Sequence, residues 1–238
     1  MFRKSMSRIA IFFSYLLVMH VVAAKEKNRK IGLIGDSTVA DTYGWGPALA
    51  DQVNDRVTVL NYAKNGATLD SLSKRLDALI KQNPDYVPIQ FGHNDMKRYD
   101  AKALSTKLEA YIERLKRAGC KPIVLSSVTR RDFDGNGKIS PRILHGDRSL
   151  PAFAQSAKAV AKKQQVPLVD LNSISIAHHN KIGPEASATY NFNPKDTTHF
   201  SNKGAKAIAA LLLKQLRTSI PELKYRKNKG PVEIKFPD

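Results

Sequence analysis

The chain has 238 residues, 42% of them hydrophobic, with a formal net charge of +18 and a single cysteine, Cys120. That length suits one α/β domain with an ample core. One cysteine excludes an intrachain disulfide and a cysteine-based metal site, and the positive field favours anionic polymers over cationic partners.

In chain order, Arg3, Lys4 and Arg8 precede a mostly apolar run from Ile9 to Val22, which ends in the small residues Ala23 and Ala24. This pattern predicts a secretory signal peptide over residues 1–24. The alternative is an uncleaved anchor, but the apolar run is short of the roughly 20 residues a bilayer span needs. No stable membrane anchor is therefore expected, and the mature chain is expected in the periplasm or the medium.

A single domain is expected over residues 25–220. Five short apolar runs mark its strands: Ile31–Ile34, Val57–Asn61, Tyr86–Phe91, Pro122–Ser127 and Val166–Asp170. They are nearly continuous in Val, Ile and Leu, as strands covered on both faces are. Helical patterns run over Leu69–Lys81, Ser105–Ala118, Leu150–Gln164 and Asn202–Leu216. Alternating strands and helices with short connections predict a doubly wound parallel sheet with helices on both faces, a three-layer flavodoxin-like α/β fold. Pro88 resists this reading, because it cannot donate to a ladder and must fall at a bulge or a harmless position. Cys120 reads as a small buried hydrophobe rather than a reactive thiol. The stretch Thr129–Arg148 reads as a long polar loop over the site. Residues 221–238 form a basic extension that either adds an edge strand or trails loosely.

Four short segments carry chemistry: Gly35-Asp36-Ser37, Asn65-Gly66, Gly92-His93-Asn94-Asp95 and Asp196-Thr197-Thr198-His199. Ser37 directly follows the first strand, where an open parallel sheet forms its ligand crevice. It is the candidate nucleophile, and the plainer alternative is a helix cap. A serine hydroxyl needs a base, and the base needs a partner that holds its tautomer. His199 and Asp196, three residues apart, can meet on one tight loop and supply both; their alternative is also capping. The Ser37 N–H, the Gly66 N–H and the Asn94 amide are candidate oxyanion donors, with Asn65-Gly66 equally readable as a simple turn. The strength of the reading lies in four turns converging at one end of the sheet, each with the residue its role needs.

These segments resemble the four sequence blocks of the SGNH (GDSL-type) hydrolases. The similarity is closer to the rhamnogalacturonan acetylesterase branch. Its carriers are Ile34–Val39 with Gly44-Trp45-Gly46, Gln90–Asp95, Val128-Thr129-Arg130-Arg131 leading to Asp134–Gly137, and Asp196–Phe200. The resemblance covers roughly Lys30 to Ser219. It implies a cofactor-free serine esterase that removes acetyl groups from pectic or other polysaccharide. It assigns Ser37, Asp196 and His199 to the triad, and Ser37, Gly66 and Asn94 to the oxyanion hole.

Around this centre, Arg130, Arg131 and Arg142 are candidates for holding galacturonate carboxylates, or else solvated loop residues. Trp45 between two glycines reads as a sugar-stacking platform in preference to core. His145 lies in the suspected lid, and His178 and His179 read as surface or loop histidines. No metal site is expected: Asp132–Gly137 resembles the start of a calcium loop, but its twelfth position is Ile143, where a bidentate Glu is required. The expected product is a monomeric secreted esterase acting on an acetylated, anionic polysaccharide. Its rivals are the same fold acting on a lipid, aryl or thioester, and a non-catalytic module binding anionic polymer. Nucleic acid is not an expected partner.

Overall fold

The computed structural model describes residues 28–223. The expected leader and most of the basic extension lie outside them. Five parallel strands form the central sheet: β1 (Arg29–Gly35), β2 (Val57–Asn61), β3 (Tyr86–Gln90), β4 (Lys121–Leu125) and the short β7 (Leu168–Val169), in the order β2-β1-β3-β4-β7. A two-stranded hairpin, β5 (Ile143–His145) and β6 (Arg148–Ser149), rises from the loop after β4.

The inner strands are buried on both faces, with β3 covered at every residue. One core lies between the sheet and helices α1 (Gly46–Gln52), α5 (Leu171–Ala188) and α6 (Asn202–Ser219), where Trp45, Leu49, Leu212 and Leu213 pack. The second lies under α2 (Ser73–Ile80), α3 (Ala101–Arg117) and α4 (Leu150–Lys163), where Leu76, Ile112 and Phe153 pack. Leu223 is fully buried in the first core, and Glu222 pairs with Arg29 at 2.5 Å, so packing continues beyond residue 220.

Pro88 sits in the middle of β3 and is tolerated for a local reason. Pairing with β4 is continuous from Tyr86↔Lys121 to Gln90↔Leu125. Pairing with β1 runs at Ile31↔Tyr86 and resumes at Ile34↔Ile89, stepping over Pro88. Its missing N–H falls in that gap.

Most helix starts follow the chemistry of their caps. The side chains of Asp100, Ser149, Asp170 and Ser201 each accept a bond from an N–H in the first turn that follows. Two helices carried too little signal to be expected. The first, α1, is one short turn pair opened by Pro47. The second, α5, has no apolar stripe: it buries Asn172, Ser175, His178, His179 and Ser187, and Gly183 breaks it at φ 79°.

The sheet order places the topological switch point between β1 and β3. Chain crossovers leave in opposite directions there, opening a crevice at the carboxyl ends of these strands. Ser37 and Asn94 follow those two ends.

Candidate active site

Ser37 occupies a turn braced from behind. The backbone carbonyl of Asp36 accepts the N–H groups of Val39 and Ala40, and its Oδ1 accepts Thr38 N at 2.9 Å and Thr38 Oγ1 at 2.7 Å. The Gln90 amide donates to Thr38 Oγ1 at 2.5 Å, and Trp45 Nε1 donates to Gln90 Oε1 at 3.1 Å. Asp36, Thr38 and Trp45 are all 0% exposed. Gly35 permits the close approach of β3, since a Cβ there would stand 2.5 Å from the Gln90 carbonyl oxygen.

Trp45 is therefore core and not an exposed sugar platform. Its flanking glycines serve close packing: a Cβ on Gly44 or Gly46 would collide with backbone of Val39. Its indole completes the relay that holds the Ser37 turn.

The histidine arrives on the loop before α6. His199 Nε2 lies 2.8 Å from Ser37 Oγ, and His199 Nδ1 lies 2.7 Å from Asp196 Oδ2. The carboxylate fixes the proton on Nδ1 and leaves Nε2 as an acceptor toward the serine. Asp196 Oδ1 receives the N–H groups of Thr198 and His199, each at 3.0 Å. Burial pushes the Asp196 carboxyl up, but these donors and the imidazole outweigh it and hold its pKa below the ordinary value.

The loop is itself held by Arg131. This guanidinium donates from Nη2 to the His199 carbonyl and from Nε to Asn191 Oδ1, each at 2.5 Å, and lies 4.7 Å from the centre of the Phe200 ring. Its backbone N–H bonds the Thr197 carbonyl at 3.0 Å. Arg131 is only 3% exposed, so it braces the histidine loop and does not meet a substrate as expected. Burial lowers its pKa to about 10, leaving it charged at neutral pH.

The candidate oxyanion donors come from the turns after β2 and β3. Gly66 has φ 73°, a conformation glycine adopts freely, and the space where a Cβ would stand is open. Asn94 Nδ2 donates one proton to the Ala67 carbonyl at 3.2 Å, while Lys97 Nζ donates to Asn94 Oδ1 at 3.2 Å. Asp95 ties the two turns together. Its carboxylate receives Gly92 N at 3.0 Å, Leu69 N at 2.9 Å and the Tyr99 hydroxyl, and burial raises its pKa to about 6.

Ser37, Gly66, Asn94, Arg130 and His199 line one pocket of about 190 Å³, together with Tyr43, Asn65, His93, Lys97 and Thr198. The structure thus brings Ser37, His199, Gly66 and Asn94 to one pocket, with Arg130 among the substrate candidates, and places Asp196 behind His199 rather than in the pocket wall. His145 stands apart, exposed on the hairpin. His178 and His179 are buried rather than at the surface, as α5 turns them under the histidine loop: His178 Nε2 is 3.2 Å from the Tyr190 hydroxyl and His179 Nδ1 is 2.9 Å from Ser187 Oγ. The expected loop turn at Asp134 is present, with Oδ1 receiving Asn136 N and Lys138 N. Among the described residues no group of three or more His, Cys, Asp or Glu is arranged to hold a metal ion. None of their helices is long and apolar enough to cross a membrane.

Three pocket residues carried no role in the sequence. His93 forms the floor, donating from Nε2 to the Val128 carbonyl at 3.0 Å, and burial lowers its pKa to about 4. Tyr43 lies 5.1 Å from the His199 ring. Lys97 follows Asn94 by three residues, a spacing that puts both on one turn; that spacing was the available signal.

A parallel α/β sheet with a serine–imidazole–carboxylate relay at its switch point defines a hydrolase-type centre. The match to known proteins narrows this. Residues 33–207 match the GDSL-like lipase/acylhydrolase family, and the chain belongs to that family, in its rhamnogalacturonan acetylesterase-like branch. It is a carboxylic ester hydrolase. It is 33% identical over 213 residues to the rhamnogalacturonan acetylesterase RhgT of Bacillus subtilis, covering 79% of this chain and 89% of that one. It is 28% identical over 219 residues to the rhamnogalacturonan acetylesterase of Emericella nidulans, covering 78% and 84%. Among solved structures, YxiM of B. subtilis superposes with a TM-score of 0.70 at 26% identity, over 81% of this chain and 57% of that one. The acetylxylan esterase Axe2 of Geobacillus stearothermophilus shares the fold at 19% identity, with a TM-score of 0.60 over 80% and 94%.

Proposed function

We propose that this chain is a secreted serine esterase that removes O-acetyl groups from an acidic, pectic polysaccharide of the rhamnogalacturonan type. Ser37, His199 and Asp196 act as triad, and Ser37 N–H, Gly66 N–H and Asn94 Nδ2 as oxyanion donors. The observation that carries the reading is the unbroken relay from Asp196 to Ser37, with contacts of 2.7 Å and 2.8 Å, at the wall of a small pocket.

The chemistry follows from that geometry. His199 Nε2 takes the Ser37 proton as Oγ attacks the acetyl carbonyl, and Asp196 steadies the imidazolium. Negative charge develops on the carbonyl oxygen, and the three proposed donors, all from residues that line this pocket, receive it. The imidazolium then gives its proton to the departing sugar oxygen, leaving an acetyl-enzyme. Water, deprotonated by His199, attacks that ester; the tetrahedral intermediate collapses to acetate, and the proton returns to Ser37. A pocket of about 190 Å³ suits a short acyl group better than a long chain. Arg130 in the pocket wall, the net charge of +18 and the names of the curated relatives support an anionic polymer. The leader pattern in residues 1–24 supports secretion.

Acetate release from acetylated rhamnogalacturonan, acetylated xylan and p-nitrophenyl acetate tests the proposal, with Ser37→Ala beside the parent. Release from the pectic polymer that falls roughly 10⁴-fold or more with Ser37→Ala is expected. Release from xylan or the small ester alone would refute the pectic substrate and keep the mechanism. Release from none of them would refute both.

A further inference from the structure

Among the described residues the exposed large hydrophobic side chains are Ile143, Leu144, Leu168 and Phe192, and Phe192, 47% exposed, is the aromatic one. A lone exposed apolar residue is ordinary on a protein surface. Phe192 differs in being tied to the site. Its backbone N–H donates to the His199 carbonyl at 3.0 Å, and its ring meets Tyr43 edge to face, with centroids 4.8 Å apart and planes at 83°. Tyr43 lines the small pocket, its ring lies 5.1 Å from that of His199, and its carbonyl accepts Phe200 N at 3.0 Å. Consecutive ring contacts thus lead from His199 in the pocket wall through Tyr43 to Phe192 in solvent.

This row lies on one particular side of the reaction. The proposed oxyanion donors Gly66 and Asn94 come from the turns after β2 and β3, whereas His199 arrives on the loop before α6. When the acyl C–O bond breaks, the departing sugar oxygen takes the proton from His199 Nε2, so the sugar must stand on the His199 side. A pyranose ring has a face of C–H bonds, and the negative face of an aromatic ring attracts them as both leave water. We propose that Phe192, backed by Tyr43, is the platform on which the acetylated sugar lies before it departs as the alcohol. The proposal rests on the esterase reading for its substrate. Phe192 then selects the alcohol half of the ester, while the small pocket selects the acyl half.

Binding and turnover are read separately, so that failure of the platform is distinct from failure of the esterase reading. An acetylated rhamnogalacturonan oligosaccharide is titrated into the full chain carrying Ser37→Ala. Adding Phe192→Leu keeps apolar bulk against Tyr43 and the backbone bond to His199 but removes the flat face. It is expected to weaken binding about fivefold, whereas Phe192→Trp is expected to stay within about twofold of the parent. With Ser37 intact, Phe192→Leu is expected to raise KM for the same oligosaccharide about fivefold with little change in kcat. Its loss of kcat/KM on ethyl acetate, whose alcohol is too small to cover a ring, should be much smaller. Absence of binding, affinity that Phe192→Leu leaves intact or that Phe192→Trp fails to preserve, or equal losses on the two esters overturns the proposal. If the chain with Ser37 intact releases no acetate while binding still depends on Phe192, the esterase reading fails and the platform stands.

Discussion

The two halves of the relay are held in opposite ways. Ser37 is fixed from within the sheet, by a chain of buried groups running from Asp36 through Thr38 and Gln90 to Trp45. His199 and Asp196 sit at the rim, each about a quarter exposed, on a loop secured by Arg131, Asn191 and Tyr43. Ser37 inherits its position from a core strand and His199 acquires its position from tertiary contacts between loops. Damage behind Ser37 should therefore register as lost stability, and damage around His199 as lost turnover.

Four measurements sharpen or break that contrast. The largest effect is expected for Asp196→Asn. An amide keeps a carbonyl for the backbone donors but cannot accept the proton on His199 Nδ1, so the imidazole loses its working tautomer. Turnover of p-nitrophenyl acetate should fall by about 10⁴-fold with little change in melting temperature.

Next is Arg131→Met, which keeps the buried stem and removes both polar contacts. The His199 carbonyl retains its bond from Phe192 N at 3.0 Å, so the loop should shift rather than unfold. A fall in kcat of up to about 100-fold with a nearly constant KM is expected, because His199 is misplaced and the rest of the pocket wall is not. A rise in KM with constant kcat would return Arg131 to a substrate-binding role.

Acid tests the buried side. The unfolded chain protonates His93 near 6.5, whereas the folded chain holds it neutral down to about 4. Stability is thus full above about 6.5 and lost as pH falls toward 4, by roughly 3 kcal/mol from this group. The lowered His179 acts in the same sense. Asp95, raised from 3.8 to about 6, opposes it by favouring the folded state at the acid end of the window. His93→Asn should flatten the decline between pH 6.5 and 4 in denaturant titrations, whatever its absolute stability.

The smallest effect is expected for Trp45→Phe. It leaves Gln90 Oε1 buried without its donor, at a cost of about 1–3 kcal/mol in unfolding free energy. Turnover should change by much less than with Arg131→Met, and a larger fall in kcat than in stability would erase the contrast.

The residue types at the strand ends and their order were legible in the sequence because both depend on local pattern. Short Val, Ile and Leu runs bounded by turn residues fit covered strands, and turn segments between them then lie at sheet ends. That determined the α/β sheet, the convergence of Ser37, Gly66, Asn94, Asp196 and His199, and the family resemblance. What Trp45, Arg131, His178 and His179 do was decided elsewhere. A tryptophan between glycines looks exposed until close-packed backbone claims the space around it. An arginine in a polar loop looks solvated until a carbonyl, an amide and a ring from residues 60 or more positions away enclose it. The helix α5 hides from periodicity because its inward face is polar and finds its partners across the fold. Chain-local pattern fixes which groups can reach the crevice; only tertiary contact, by burying some of them and pairing their polar atoms, decides which face a substrate and which hold the others in place.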